Sequence, residues 1–294
     1  MAFELASYEP AYRDDYLRLL EDAWGELALS GPEFDWWFND NPAGSLRSVA
    51  HADGRVVGVA GHSLFRMKLG GEEQVASFSV HATTDVAARG QGIFEALESR
   101  HEEQAKERGV AVVLAFASKP TAPIFLGRLG WTEIARLRVW ARPFPRIGSK
   151  PRAVGRIERF RHPGDAARAW PNHIIRNTQY LNWRYLESPR RYEVFAFGGS
   201  YAVLGHKEHR GTLLAYIADV VGDPRALLRA CLGAVDRDAR ALVAVPGRGQ
   251  ASTYAALGFL PTKTTLWFMG KALAGELDTT RRAWRFTLGD TDFF

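Results

Sequence analysis

The chain has 294 residues, 46% of them hydrophobic, 24% charged and 12% aromatic, with a formal charge of +5 from 38 basic and 33 acidic side chains. Those values suit a globular protein with a large core, and at roughly 150 residues per domain they suit two domains or one large one. One cysteine, Cys231, excludes an intramolecular disulfide scaffold and points to a reducing compartment, so a cytoplasmic location is expected. The longest apolar run, 110–117, is far shorter than the roughly 20 residues that span a bilayer. The N-terminus has no basic flank leading into an apolar segment, so no membrane partner is expected. The arginines are scattered, which disfavours nucleic acid despite a pI near 9.4.

In chain order, 3–8 reads as a strand and 11–24 as an amphipathic helix with Tyr12, Tyr16, Leu19 and Leu20 on one face. Segments 46–52 and 56–65 make a hairpin around Asp53-Gly54. Then follow a long strand at 73–85, a helix at 91–108 with Glu102 and Lys106 as an outward i,i+4 pair, a buried strand at 110–117, a helix at 122–129 and a strand at 132–140. Pro143, Pro145, Gly148 and Pro151 mark a boundary. The second half repeats the order: 156–160 extended, 165–186 helical, strands at 193–197, 201–207 and 213–221, helix 224–237, strand 241–245, helix 250–257 and strand 264–269. The tail after 275 carries Trp284, Phe286, Phe293 and Phe294, and is expected to pack on the body.

Two echoes support an internal repeat. Phe34, Trp36, Phe38 and Pro42 recur as Leu181, Trp183, Tyr185 and Pro189 at a constant shift. Further on, FLGRLGWTEI resembles YAALGFLPTK, each a helix stopped at Gly130 or Gly258 and followed by an aromatic residue entering a strand. The expected domains are 1–145 and 152–272, followed by the tail 273–294.

The segment that carries chemistry is Arg89-Gly90-Gln91-Gly92, between a strand and a helix. Glycines there let backbone N–H groups approach an anion, the helix dipole adds positive potential, and Arg89 adds a fixed charge. Position 95 is Glu and no Gly-Lys-Ser/Thr follows, so neither the dinucleotide fingerprint nor a Walker loop fits. Alternation puts Phe78, Val80 and Ala82 on one strand face and Ser77, Ser79, His81, Thr83 and Asp85 on the other, a polar stripe that would line a groove or form an ordinary solvated face. His81, with an ordinary pKa near 6.5, is the candidate general base; the alternative is a structural buried histidine.

Arg89-Gly90-Gln91-Gly92-Ile93, followed by a buried strand, a short helix and Leu129-Gly130-Trp131, resembles the coenzyme A site of the GNAT superfamily of N-acetyltransferases. The resemblance covers about 3–142. It implies that backbone amides of Gly90, Gln91, Gly92, Ile93 and Phe94 hold the pyrophosphate of acetyl-CoA, and that Ala82, Thr83 and Thr84 supply main-chain contacts to the acyl and pantetheine groups. The repeated half, with Tyr-Leu-Asn-Trp-Arg-Tyr at 180–185 and Gly-Asp-Thr-Asp at 289–292, is similar to bacterial GNAT proteins with a second, degenerate GNAT-like domain. The expected fold is therefore α/β (α+β): two tandem GNAT-like domains, each a mixed, mostly antiparallel sheet flanked by helices. The second half has Val221-Gly222-Asp223-Pro224 in place of the loop, and no coenzyme is expected there.

The activity so implied is acetyl transfer from acetyl-CoA to the amine of a small-molecule acceptor by direct attack, with no metal, in a monomer or homodimer. Two departures stand out: Phe94 replaces the last small residue of the loop, and Leu126 stands where the family often has a tyrosine to protonate the thiolate. Tyr254 holds the matching place in the second half. A non-catalytic coenzyme-binding module and an aminoacyl-tRNA-dependent transferase are the alternatives. His206 and His209 lack the helical spacing of a zinc pair. Cys231 reads as packing, and Trp36, Trp37 and Trp183 as core or as stacking surfaces for an acceptor.

Overall fold

A computed structural model describes residues 2–143, 155–161, 169–197, 199–209, 211–222 and 224–292. They fall into two units, Met1–Met67 with Glu73–Arg136 and Trp267–Thr279, and Lys68–Glu72 with Leu137–Leu266 and Thr280–Phe294.

In the first unit, β1 (Glu4–Ser7) leads to α1 (Arg13–Trp24), which buries Tyr16, Leu19 and Leu20 as a 3.6-residue stripe requires. α2 (Gly31–Phe34) is one turn, begun by a Ser30–Glu33 capping box and continued by a π-helical turn over Asp35–Asn39. β2 (Ser45–Ala52) and β3 (Arg55–Leu69) form the expected hairpin. Asp53 and Gly54 both have positive φ, 50° and 72°, as the type I′ turn demands. β4 (Glu72–Thr84), α3 (Ile93–Glu107), β5 (Val112–Ala117), α4 (Ala122–Gly127) and the start of β6 (Thr132–Pro143) follow. The sheet runs β1-β2-β3-β4-β5. β4 and β5 are parallel, and the stretch from Trp267 to Ala272 lies antiparallel on β5.

The second unit takes up the rest of β6 and continues with β7 (Gly155–Arg156), β8 (His173–Ile174), α5 (Thr178–Leu181), β9 (Tyr192–Phe197), β10 (Ser200–His209) and β11 (Thr212–Val221). Then come α6 (Pro224–Ala234), β12 (Ala241–Ala244), α7 (Ala251–Ala256) and β13 (Leu260–Ala272). Its sheet order is β6-β12-β11-β10-β9-β7, with β11 and β12 parallel and the other pairs antiparallel. Both units thus have the mixed, mostly antiparallel sheet that the sequence implied.

Each echo has become one local structure built twice. α5 is capped by Asn177 and runs into a π-helical turn over Asn182–Leu186, so that Gly31, Asp35 and Asn39 correspond to Thr178, Asn182 and Leu186 at one constant shift. After α4 and α7, Gly130 and Gly258 take φ of 70° and 81°. The next residues, Trp131 and Phe259, both donate back into the helix, to Phe125 O six residues earlier and to Tyr254 O five residues earlier, each at 3.0 Å, so the stop is shared and its closing bond differs by one position.

The structure corrects several sequence readings. Among the described residues of the expected helix 165–186, the helix begins at Thr178: His173–Ile174 is extended, Asn172 bridges to Trp284, and the Asn177 side chain accepts Tyr180 N–H to begin α5. The strand 156–160 shrinks to Gly155–Arg156, because the Asn182 amide satisfies both the N–H and the C=O of Phe160, at 2.9 and 3.1 Å. Glu102 binds Trp131 Nε1 at 2.7 Å and Lys271 Nζ at 2.5 Å, in place of the Lys106 pairing. The last strand begins in the second unit and ends in the first. In the tail, Trp284, Phe286 and Leu288 are buried. Pro145, Gly148 and Pro151 of the boundary, 165–168 of the helix, Asp223 and Phe293-Phe294 lie outside the described residues.

Candidate functional site

The site of the first unit begins where two strands part. β4 and β5 pair from Ala76↔Val112 to Ser79↔Ala115; β4 then continues to Thr84 and β5 to Ala117 with no further pair between them among the described residues. The strand edges beyond that point therefore hold peptide groups that a ligand can meet.

His81 marks the parting. Its φ is +49°, a left-handed value uncommon in a non-glycine residue, and it reverses the alternation of β4. Ser77 and Ser79 face α3, where Ser77 Oγ meets His62 and Ser79 Oγ donates to Glu98 Oε1 at 2.8 Å. Ala82 also packs on the α3 side, with Ile93 and Leu97. His81 is turned the other way, 7% exposed, with the rings of Trp24, Trp37 and Phe38 each 6.0 Å from its own. The continuous polar stripe expected from sequence is thus broken by the bulge. Tyr16 Oη donates to His81 O at 3.2 Å and pins the bulge; burial raises the Tyr16 pKa, so the hydroxyl keeps its proton.

Beyond the bulge the chain turns towards α3. Asp85 accepts Ala87 N–H at 2.8 Å and closes a 3₁₀ turn over Val86–Ala88. Arg89 is exposed and its Nε donates to Thr84 O at 3.2 Å. Gly90 and Gly92 both have φ of +80°, and a Cβ at either would meet nothing within 4 Å. The first-turn N–H groups of α3 have no acceptor within the helix. Thr84 Oγ1 and Gln91 Oε1 are buried without a hydrogen-bond partner among the described residues. The acidic residue of that first turn, Glu95, is drawn to Arg128 at 2.5 Å. The turn is an open, positively biased cradle.

Under the cradle lies a network that the sequence reading missed. His62 Nδ1 lies 2.8 Å from Ser77 Oγ, and His62 Nε2 lies 3.0 Å from Glu98 Oε2. The ring of His101 is 4.5 Å from that of His62. Desolvation, then the charges of His62 and Arg100, push the His101 pKa well below its ordinary value, so it stays neutral. The signal was present in α3: Glu98 and His101 fall on the same face as Ile93, Leu97 and Ala105.

The profile of the acetyltransferase (GNAT) domain family matches residues 4–134, from β1 into β6. This chain thus carries a GNAT acetyltransferase domain over residues 4–134. No curated protein matches it. Among solved structures, a GCN5-related N-acetyltransferase from Kribbella flavida is 16% identical, with a TM-score of 0.63 over 92% of this chain and 71% of its own. A tandem GNAT protein from the clavulanic acid biosynthesis pathway is 13% identical, with a TM-score of 0.62 over 94% of this chain and 100% of its own. The N-myristoyltransferase of Saccharomyces cerevisiae, solved with myristoyl-CoA, is 10% identical, with a TM-score of 0.65 over 91% and 82%. At those identities the likeness is one of fold, and it extends across both units.

The two departures from the GNAT pattern have structural outcomes. The Phe94 ring meets Phe125 edge-on at 5.5 Å and packs in the core under α4, so its bulk is directed into the protein. Leu126 packs against the same cluster and has no proton to give. In the second unit, Tyr254 is buried beside Phe259, and burial raises its pKa. His206 Nε2 accepts Asp236 N–H at 3.2 Å, and Cys231 is fully buried among Leu227 and Leu228. Trp36, Trp37 and Trp183 are all buried, which favours their reading as core. Among the described residues no helix is long and apolar enough to cross a membrane.

Proposed function

We propose that the first unit transfers an acetyl group from acetyl-CoA to the amine of a small acceptor by direct attack on the thioester. The observation that carries the reading is the open pair of left-handed glycines, Gly90 and Gly92, at the start of α3 and just past the parting of β4 from β5. N–H groups of Gly90, Gln91, Gly92, Ile93 and Phe94 would hold the pyrophosphate, with Arg89 adding charge. Ala82, Thr83 and Thr84 offer main-chain groups to the pantetheine arm, and the orphaned Thr84 Oγ1 and Gln91 Oε1 fit a ligand rich in amides and hydroxyls. Acetyl-CoA supplies an acyl carbon already activated as a thioester.

The residues of the chain do the remaining work. Position and desolvation at the parted strands align the amine. An alkylamine has a pKa of about 10.4, so its proton must leave before attack. His81 is the proposed base, fixed at its bulge by Tyr16 and ringed by Trp24, Trp37 and Phe38. The buried Cys231 fits a reducing, cytoplasmic setting.

The test is release of free thiol from acetyl-CoA across a panel of primary amines. Turnover with at least one amine, lost in Gly92→Glu, is expected. Leu126 in place of a proton donor favours a second reading, a coenzyme-binding module without turnover, which tight acetyl-CoA binding with no thiol release from any amine would establish.

A further inference from the structure

The second unit repeats the parting of strands. β11 and β12 pair only from Leu214↔Ala241 to Tyr216↔Val243, and the register of β11 slips between Asp219 and Ile217. The slip leaves Ala218 as the extra residue, three positions before the strand ends at Val221, as His81 is three before the end of β4. In the gap lies a cavity of about 200 Å³, lined by 217–222, 245–248, Trp170, Tyr254, Arg281 and the run Trp284-Arg285-Phe286-Thr287.

The chemistry of the gap differs from that of the first unit. α6 opens with Pro224, which has no N–H, so one amide that a pyrophosphate cradle would use is missing. Positive charge comes from side chains: Arg248, Arg281 and Arg285 line the cavity, while the acid there, Asp219, is already neutralised by Arg176 at 2.7 Å and Arg285 at 2.6 Å. Arg285 is 8% exposed, and its Nη2 is held by Asp219 Oδ1 and Val220 O. Its Nη1 is buried with no hydrogen-bond partner among the described residues. A buried guanidinium N–H left unpaired in a cavity wall costs free energy unless an acceptor arrives. Its chain neighbours Trp284 and Phe286 also line the cavity, and their rings stack on each other with planes 5° apart and centroids 6.1 Å apart.

We infer that the second unit binds a small carboxylate with an apolar, aromatic-sized body in this cavity, its carboxylate on Arg285 and its body among Trp170, Trp284 and Phe286. An Arg–carboxylate contact is charge-assisted and supplies the acceptor that Nη1 lacks, while the aromatic walls select against bare inorganic anions. The site is separate from the acyl-transfer reading and stands or falls without it.

Calorimetric titration of the full chain with benzoate, phenylacetate and indole-3-acetate tests the assignment, with phenylacetamide as the uncharged control. At least one acid should bind about tenfold or more tightly than the amide. Arg285→Lys keeps a cation beside Asp219 but loses the forked N–H, and should weaken that acid by about tenfold. Val245→Trp fills the gap from its rim without touching the Asp219 ion pairs and should abolish binding, whereas Gly92→Glu should leave it intact. Equal affinity for acid and amide, wild-type binding in folded Val245→Trp, or no binding of any acid by about 10 mM would overturn the assignment.

Discussion

His62 Nε2 lies 3.0 Å from Glu98 Oε2, and both side chains are fully buried beneath the helix whose N-terminus forms the candidate coenzyme cradle. The pair joins β3 to α3, and Ser77 and Ser79 of β4 complete its hydrogen bonds. Glu98→Ala strands His62 and Ser79 without an acceptor, and should cost about 3–5 kcal/mol in urea unfolding. Glu98→Leu together with His62→Leu, which removes both polar partners, should cost less than the single change.

Asp219 is placed between Arg176 and Arg285. Desolvation raises its pKa, but the two guanidinium charges outweigh this and lower it to about 2. A carboxylate depressed in the folded state contributes stability above its unfolded pKa and loses it as pH falls through the folded value. Relative to the ordinary value of 3.8, the shift corresponds to roughly 2 kcal/mol, present above about pH 4 and lost towards pH 2. Wild-type stability should fall over that window, and Asp219→Asn should flatten the fall while lowering stability at neutral pH by about 3–5 kcal/mol.

Gly58 of β3 packs against α3. A Cβ there would lie 2.5 Å from Ile93 Cγ2 and 3.4 Å from Leu97 Cδ1. Gly58→Ala should destabilise by about 1–3 kcal/mol and push the first turn of α3 outward. Acetyl-CoA affinity, measured by calorimetry, should fall with it, whereas phenylacetate binding in the second unit should not.

His81→Gln tests the proposed base. Turnover should drop about 100-fold or more, with the affinity for acetyl-CoA kept, because the main-chain path through the bulge is retained. His81→Gly should lose the same turnover yet relieve the left-handed strain at φ +49°. Equal turnover in all three proteins would assign His81 a purely structural role.

What was legible in the sequence is what local chain chemistry encodes. The Asp53-Gly54 turn, the Tyr16-Leu19-Leu20 stripe, the Gly130 and Gly258 stops and the Arg89-Gly90-Gln91-Gly92 turn each lie within one element or one join. The repeat of Phe34-Trp36-Phe38 as Leu181-Trp183-Tyr185 was legible because both copies cap and unwind in the same way. Relationships set by tertiary structure were not legible. Nothing in the strand pattern reveals that His81 takes a left-handed φ, so the polar stripe drawn through it was continuous on paper and broken in the fold. His62 and Glu98 meet across 36 positions, and Arg176 and Asp290 across 114. The pairing of β5 with residues from Trp267 to Ala272 exceeds any local rule in the same way.

Calorimetric titration of acetyl-CoA into wild type, Gly92→Ala and Gly92→Glu asks whether Gly90 and Gly92 form the coenzyme cradle. Both substitutions share the strain of an L side chain at φ +80°, so the difference between them isolates the added bulk and charge at the cradle. One site per chain is expected in wild type, with weaker binding in Gly92→Ala and none in folded Gly92→Glu. Wild-type affinity in Gly92→Glu, or no binding to folded wild type, would contradict that role for the two glycines.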